Sequence, residues 1–252
     1  MAASTRTLPG RLSLEGRRIL VTGAASGIGR AAAFACAELG ADVLLTDRAS
    51  LDTVTAALTK GGTKVEAVQG DLTQQGFVAS LMAERSLDGL IHCAGILHRK
   101  HLAEDAEPRA RFHQVMDINV RVPYELAQSM CDHLMSRKAE GAVVLIGSVA
   151  GKTGGTSLHT PVDYSASKGA VHTIVRWLSR RVVGNGILVN GIAPGPIETP
   201  MTENNPLDPT KLPRGRKGEA EEIGWLAALL QTKATGYVSG TIIDANGGAF
   251  VG

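Results

Sequence analysis

The stretch "RILVTGAASGIGRAAAFACAEL" (residues 18–39) passes from a short apolar run, through a turn with three glycines, into an alanine-rich segment of helical periodicity. Read as strand, turn and helix, it opens an open α/β sheet. Gly23, Gly27 and Gly29 surround a turn at a helix N-terminus, where unpaired N–H groups and the positive end of the helix dipole favour a phosphate. Glycine lets the backbone approach a pyrophosphate and lets the helix pack closely on its strand. Ser26 and Ile28 complete the expected phosphate-binding turn. The next apolar run, "DVLLTD" (42–47), ends in Asp47, 18 residues past Gly29 and close to the ~20 expected of a carboxylate that binds the adenosine ribose. That charge repels a 2′-phosphate, and no Lys or Arg at 24–26 attracts one. The expected cofactor is NAD rather than NADP. Arg48, next in sequence, can either hold a phosphate or face solvent.

Outward from this unit the alternation continues. "KVEAVQGD" (64–71), "LDGLIHCAG" (87–95), "AVVLIGS" (142–148), "GILVNGIAPG" (186–195) and "GTIIDANGG" (240–248) read as further strands. Helical patterns fall between them, including a long one over 106–136, one through "YSASKGAVHTIVRWLSRR" and one over 218–231. About seven strands separated by helices argue for a parallel sheet covered on both faces. The segment 199–218 is rich in Pro, Asn and Thr, with a helix and a strand still to follow. It reads as a substrate lid inside one domain spanning 15–252, after a flexible leader over 1–14. Charged residues are 20% and the net charge is +2, without a basic run, which removes the electrostatic footprint of a nucleic-acid binder. No apolar run reaches the ~18 residues of a membrane span, and the N-terminus has no signal-like apolar core. Cys36, Cys93 and Cys131 are far apart and read as small buried residues in a reducing, cytoplasmic setting.

"YSASK" (164–168) sets a phenol and an ammonium one helical turn apart. A phenol of pKa ~10 is only about a thousandth ionised at neutral pH, and so is a poor base unaided. A nearby ammonium favours the phenolate. Two or three pKa units correspond to roughly 3–4 kcal/mol. Tyr164 could then exchange the proton of an alcohol while hydride passes to or from a nicotinamide.

Together "TGAASGIG" (22–29), "CAG" (93–95), "INV" (118–120), "GSVAG" (147–151), "YSASK" and "NGIAPGPIET" (190–199) resemble, in order, the motifs of the classical short-chain dehydrogenase/reductase family. The resemblance implies a single-domain, Rossmann-type, doubly wound seven-stranded parallel sheet flanked by helices. It implies a catalytic set of Asn119, Ser148, Tyr164 and Lys168, with Ser148 bonding the substrate oxygen and Lys168 also orienting the nicotinamide ribose. Asn119, in the long helix, would hold a water that relays protons from Lys168. Asp71, Leu72, Cys93, Ala94 and Gly95 would border the adenosine side. Pro194 and Gly195 would shape the backbone at the nicotinamide, and Ile197 and Thr199 would bind its carboxamide. Cys93 stands where the family usually has asparagine, so an amide bond that holds the central strands is expected to be lost. A dimer or tetramer is implied as well.

Ile96, Leu97, Leu158, His159 and Met201 are the candidates for the substrate wall. His98, His101 and Glu104 have a spacing a metal could use, but they sit in a loop reading, and no metal is expected. The leading expectation is an NAD(H)-dependent enzyme acting on a secondary alcohol or ketone. The enzymatic rival is a 3-oxoacyl-thioester reductase. A non-catalytic NAD sensor would need only the glycine turn and Asp47, and sugar-nucleotide epimerases have longer chains with a substrate domain.

Overall fold

The computed structural model describes residues 10–98, 108–155, 160–203 and 208–251. Runs dominated by Val, Ile and Leu become the strands β1 (Arg18–Thr22), β2 (Asp42–Asp47), β3 (Val65–Gln69), β4 (Gly89–His92), β5 (Gly141–Ile146) and β6 (Ile187–Pro194). A two-residue ladder, β7 (Ile197–Glu198) with β8 (Gly218–Glu219), brackets the segment expected as a lid, and β9 (Ile242–Ala245) ends the series. The helices are α1 (Gly27–Glu38), α2 (Asp52–Lys60), α3 (Phe77–Met82), α4 (Pro108–Met116), α5 (Val122–Ser136), α6 (Ala150–Thr153), α7 (Val162–Val182) and α8 (Ala220–Leu229).

The main sheet has seven parallel strands in the order β3-β2-β1-β4-β5-β6-β9. From β1 the chain winds outward to β3, then returns to β4 and winds the other way. The carboxyl ends of β1 and β4 therefore part at a topological switch point, where an open α/β sheet forms its binding crevice. Both faces are covered, and β4 and β5 are buried along their whole length, as helices on both sides require. One core lies between the sheet and α1, α2 and α8; the other lies between the sheet and α3, α5 and α7. The alanines of α1 let α8 approach so closely that a Cβ on Gly224 would lie 2.6 Å from the carbonyl carbon of Ala31.

The long helix expected over 106–136 is interrupted. Between α4 and α5 the chain makes a π-helical turn, Asp117–Arg121. Pro123 has no N–H to offer the carbonyl of Asn119 four residues earlier, and its ring crowds that carbonyl, so the turn widens. Three further helices, α2, α3 and α6, occupy stretches with no strong helical pattern in the sequence. α6 lies in the stretch between Ser148 and Tyr164 that reads as a loop. Residues 1–9 of the expected leader lie outside the described residues. From residue 10 the chain packs on the body: Leu14 is buried, its N–H donates to the Leu39 carbonyl at 2.7 Å, and Ala234 N–H donates to the Arg11 carbonyl at 2.9 Å. Cys36 and Cys131 are buried, whereas Cys93 is half-buried. Among the described residues no helix is long and apolar enough to cross a membrane.

Two predictions follow from this packing. Gly224→Ala should lower stability by about 1–3 kcal/mol in urea unfolding, because α1 and α8 must separate to admit the methyl group; an unchanged midpoint would show that contact to be slack. His92, ending β4, and His172, on α7, are both buried. Burial first, and Lys168 second, hold His92 down at about 3; burial, then Arg176, Lys152 and Lys168, hold His172 at about 4, against the pull of Asp244. The unfolded chain binds protons on these rings first, so their contribution to stability is present at pH 7 and is lost as pH falls from about 6.5 towards 4. The loss is on the order of 3 kcal/mol per ring at pH 4. Urea midpoints of H92N and H172N should fall less between pH 7 and pH 4 than those of the wild type; parallel curves would refute the assignment.

Candidate functional site

The turn between β1 and α1 is a cradle that only glycine fits. Gly23 has φ +67°, and a Cβ on it would lie 2.8 Å from the Ala94 nitrogen; a Cβ on Gly29 would lie 2.1 Å from the Gly23 carbonyl oxygen. Around this cradle, at the switch point, opens a cavity of about 410 Å³. Of the residues expected to bind a cofactor, Gly23, Ser26, Gly27, Ile28 and Gly29 line one wall, Asp47, Arg48, Asp71 and Leu72 the next, and Cys93, Ala94 and Gly95 the floor. Thr199 lines it too, as do Ile96 and Met201 from the expected substrate wall. Pro194, Gly195 and Ile197 do not line it: Pro194 ends β6, Gly195 N–H donates to the Ala245 carbonyl at 3.1 Å, and Ile197 is buried in β7. Leu97 is half-buried outside the lining, and Leu158 and His159 lie outside the described residues. His101 and Glu104 lie outside them as well. His98 Nε2 pairs with Gln114 Oε1 at 3.2 Å, and no cluster of metal-ligating side chains occurs among the described residues.

Both carboxylate oxygens of Asp47 accept backbone N–H groups, from Ala25 at 3.0 Å and Ala49 at 2.9 Å. The carboxylate is thus fixed at the cavity wall. Arg48 is exposed, and its guanidinium stands 3.8 Å from Asp71. These residues fit a dinucleotide: a dipole-bearing glycine turn for the phosphates and a fixed acid for a ribose hydroxyl.

Beyond the floor of the cavity sits a buried polar cluster. Lys168 is 7% exposed; its ammonium donates to the Ile146 carbonyl at 2.9 Å and stands 5.8 Å from the Tyr164 ring centroid. Burial lowers its pKa to about 8, with the Cys93 thiol pulling weakly the other way. Lys168 also lies beside the cavity floor, its Nζ 3.5 Å from where a Cβ on Gly95 would be. Asn119, on the π turn, is buried, and its amide is engaged at three points. It donates to the Ile96 carbonyl at 2.9 Å and to Ser167 Oγ at 3.1 Å, and its Oδ1 accepts the Ile96 N–H at 2.9 Å. One lone pair of Oδ1 remains for the water expected there. Ser148 follows β5, and its Oγ accepts the Ala150 N–H at 3.1 Å, which leaves the hydroxyl hydrogen to donate elsewhere.

The bond expected to be lost at Cys93 is replaced. Thr22 Oγ1, ending β1, accepts the N–H groups of Cys93 and Ala94 at 3.2 Å each, and lies 2.8 Å from His92 Nδ1. With its lone pairs engaged, the hydroxyl donates to His92, whose ring is neutral and carries its proton on Nε2. A hydroxyl and an imidazole therefore join the parting ends of β1 and β4 in place of an amide. Desolvation pushes Cys93 up to about 12, with Lys168 pulling the other way, so it stays a thiol at neutral pH.

Two arginines also escape a reading of the sequence. Arg121, on the π turn, bonds Asp117, Glu125 Oε2 at 2.7 Å and the Thr73 carbonyl at 3.2 Å, joining Asn119's turn to the Asp71–Thr73 wall. Arg111 on α4 donates to Asp163 Oδ2 at 3.1 Å, while Asp163 Oδ1 accepts the Tyr164 N–H at 2.8 Å; the pair is buried and fixes the first turn of α7. Only an Arg–Asp separation of 52 residues, closed by the fold, makes it.

The family profile described as "Enoyl-(Acyl carrier protein) reductase" matches residues 23–249. The gluconate 5-dehydrogenase of Gluconobacter oxydans (strain 621H) is 33% identical, over 96% of this chain and 98% of that one. The galactitol 2-dehydrogenase (L-tagatose-forming) of Cereibacter sphaeroides is 35% identical, over 93% and 95% respectively. A crystal structure of a gluconate 5-dehydrogenase from Burkholderia cenocepacia J2315 in complex with NADP and tartrate superposes with a TM-score of 0.84 at 27% identity, covering 95% of this chain and 97% of that one. A doubly wound sheet with a glycine cradle at its switch point, matched end to end by such relatives, leaves one conclusion: the chain belongs to the short-chain dehydrogenase/reductase family.

Proposed function

We propose that the protein interconverts a secondary hydroxyl and a ketone on a short polyhydroxylated carbon chain, with Tyr164 exchanging the hydroxyl proton and a nicotinamide dinucleotide as cofactor. The observation that carries this reading is Lys168, a buried ammonium with a lowered pKa beside both the Tyr164 ring and the cavity floor. A purely structural lysine gains nothing from such burial, whereas one that favours a phenolate does.

When bound, the nicotinamide accepts or gives the hydride. Tyr164 then takes the proton of the alcohol as the carbon–oxygen double bond forms, or returns it in reduction. Lys168 favours the phenolate by its charge. Ser148, with its lone pair held by Ala150 N–H, donates its hydroxyl hydrogen to the substrate oxygen as negative charge gathers there. Asn119 acts through its amide, fixing Ile96 at the cavity and Ser167 on the helix of Tyr164 and Lys168. Its free lone pair serves the water through which Lys168 exchanges protons with solvent.

The substrate class rests on the relatives named for gluconate and galactitol chemistry, each turning over one secondary hydroxyl of a polyol chain by its name. The acyl-carrier description of the family profile supports a second reading, reduction of a 3-oxoacyl thioester. For the cofactor, the fixed carboxylate of Asp47 favours the ribose hydroxyl of NAD, and exposed Arg48 gives a 2′-phosphate a partner, so NADP is also accepted.

Tyr164→Phe should lower kcat by at least a hundredfold on a polyol or sugar acid, with NADH binding by fluorescence nearly unchanged. Turnover near the wild-type rate would remove Tyr164 from proton transfer, and turnover of 3-oxoacyl thioesters but not polyols would select the second reading. Asp47→Ala should raise the KM for NAD much more than that for NADP, while Arg48→Ala should do the reverse. Equal effects on the two cofactors would sink the assignment of both residues.

A further inference from the structure

A second cavity, of about 210 Å³, shares no lining residue with the cofactor cavity. It is closed by the segment that leads into β8 and by the turn after β9. Its volume is that of about seven water molecules. Pro196, Ile197, Leu212 and Ile223 give it apolar walls, and its charged lining groups are Arg214, Arg216, Glu222 and Asp244.

The charges divide unevenly. Arg216 donates both terminal nitrogens to Glu222, at 2.8 Å each, and Glu222 also accepts the Glu219 N–H at 2.8 Å. Asp244 accepts from Lys152 at 2.6 Å. Arg214 alone, among the described residues of the lining, has a charged group with no hydrogen bond or ion pair. Its stem lies along Gly247, 3.4–3.8 Å from where a Cβ would sit, an ordinary packing distance. The charge of Glu222 reaches Arg214 without a direct bond, and those of Glu198 and Glu219 act on Arg216. Alternation along β7 and β8 turns them from the face of Ile197 and Gly218, and Glu198 lines a different surface pocket.

From this lining we infer that the cavity is a binding site for a short-chain monocarboxylate, its carboxylate on Arg214 and its carbon chain on the apolar wall. A guanidinium matches a carboxylate in a two-point geometry. With Arg216 bound to Glu222 and Asp244 bound to Lys152, Arg214 is the cation left to meet a carboxylate directly. Four apolar side chains suit a carbon body, which inorganic oxyanions lack. This inference stands apart from the proposed reaction, because no residue of the site belongs to the cofactor cavity or the polar cluster.

The test is thermal unfolding of the full chain with sodium hexanoate, hexan-1-ol or sodium phosphate at matched ionic strength. Hexanoate at about ten times its Kd should raise the Tm of the wild type by roughly 3 °C. R214Q should fold normally, since the guanidinium it removes makes no internal bond, and should lose the shift; R214K, a point charge on a similar stem, should keep part of it. Four outcomes would each overturn the inference: no shift in the wild type, an equal shift in R214Q, an equal shift with hexan-1-ol, or a larger one with phosphate. The readout needs no turnover, so it fails independently of the assigned chemistry.

Discussion

A charged ammonium taken out of water has to be met by oriented dipoles, and the centre of this protein is arranged around that requirement at Lys168. Its neighbours are a main-chain carbonyl at the end of β5 and an aromatic face one turn back on α7. Neither is a carboxylate. An anionic partner would have raised the lysine's proton affinity and, in the proposed chemistry, offset the charge that favours a phenolate; neutral partners let burial lower it. The absence of a carboxylate beside Lys168 among the described residues is therefore what the proposed chemistry requires.

Holding that arrangement falls to groups that never meet a substrate. Thr22 joins the ends of two strands that the topology forces apart, at the point where a dinucleotide needs them open. Pro123 widens the helix so that Asn119 reaches both Ile96 and Ser167, and Arg121 anchors the widened turn to the loop after β3. Arg111 and Asp163 fix where α7 begins, and with it the direction of Tyr164. Each device acts at the end of a regular element, where backbone groups lack partners and small changes of angle move side chains furthest.

Most of the seven main strands were legible as short apolar runs between turn residues, and the Tyr–Lys pair because helical spacing alone brings it together. The π turn was legible only in principle: the signal is Pro123 four residues after Asn119, and it is easily passed over in a long helical pattern. Thr22 with His92 required the register of β1 against β4, in which the two residues are direct partners. α2, α3 and α6 are short, and tertiary packing more than propensity makes them helical. The arginine contacts span 48 and 52 residues and depend on side-chain directions that no local pattern encodes.

The close contact of α1 with α8 has a bearing on how the chain comes to be folded in a cell. Synthesis runs from the N-terminus, so the alanine face of α1 is made well before the element that covers it, which begins at Ala220. Until α8 is made, the side of α1 that faces it lacks its native cover. The part of the interior that α1 and α8 share therefore closes only through contacts of high sequence separation, which fold slowly.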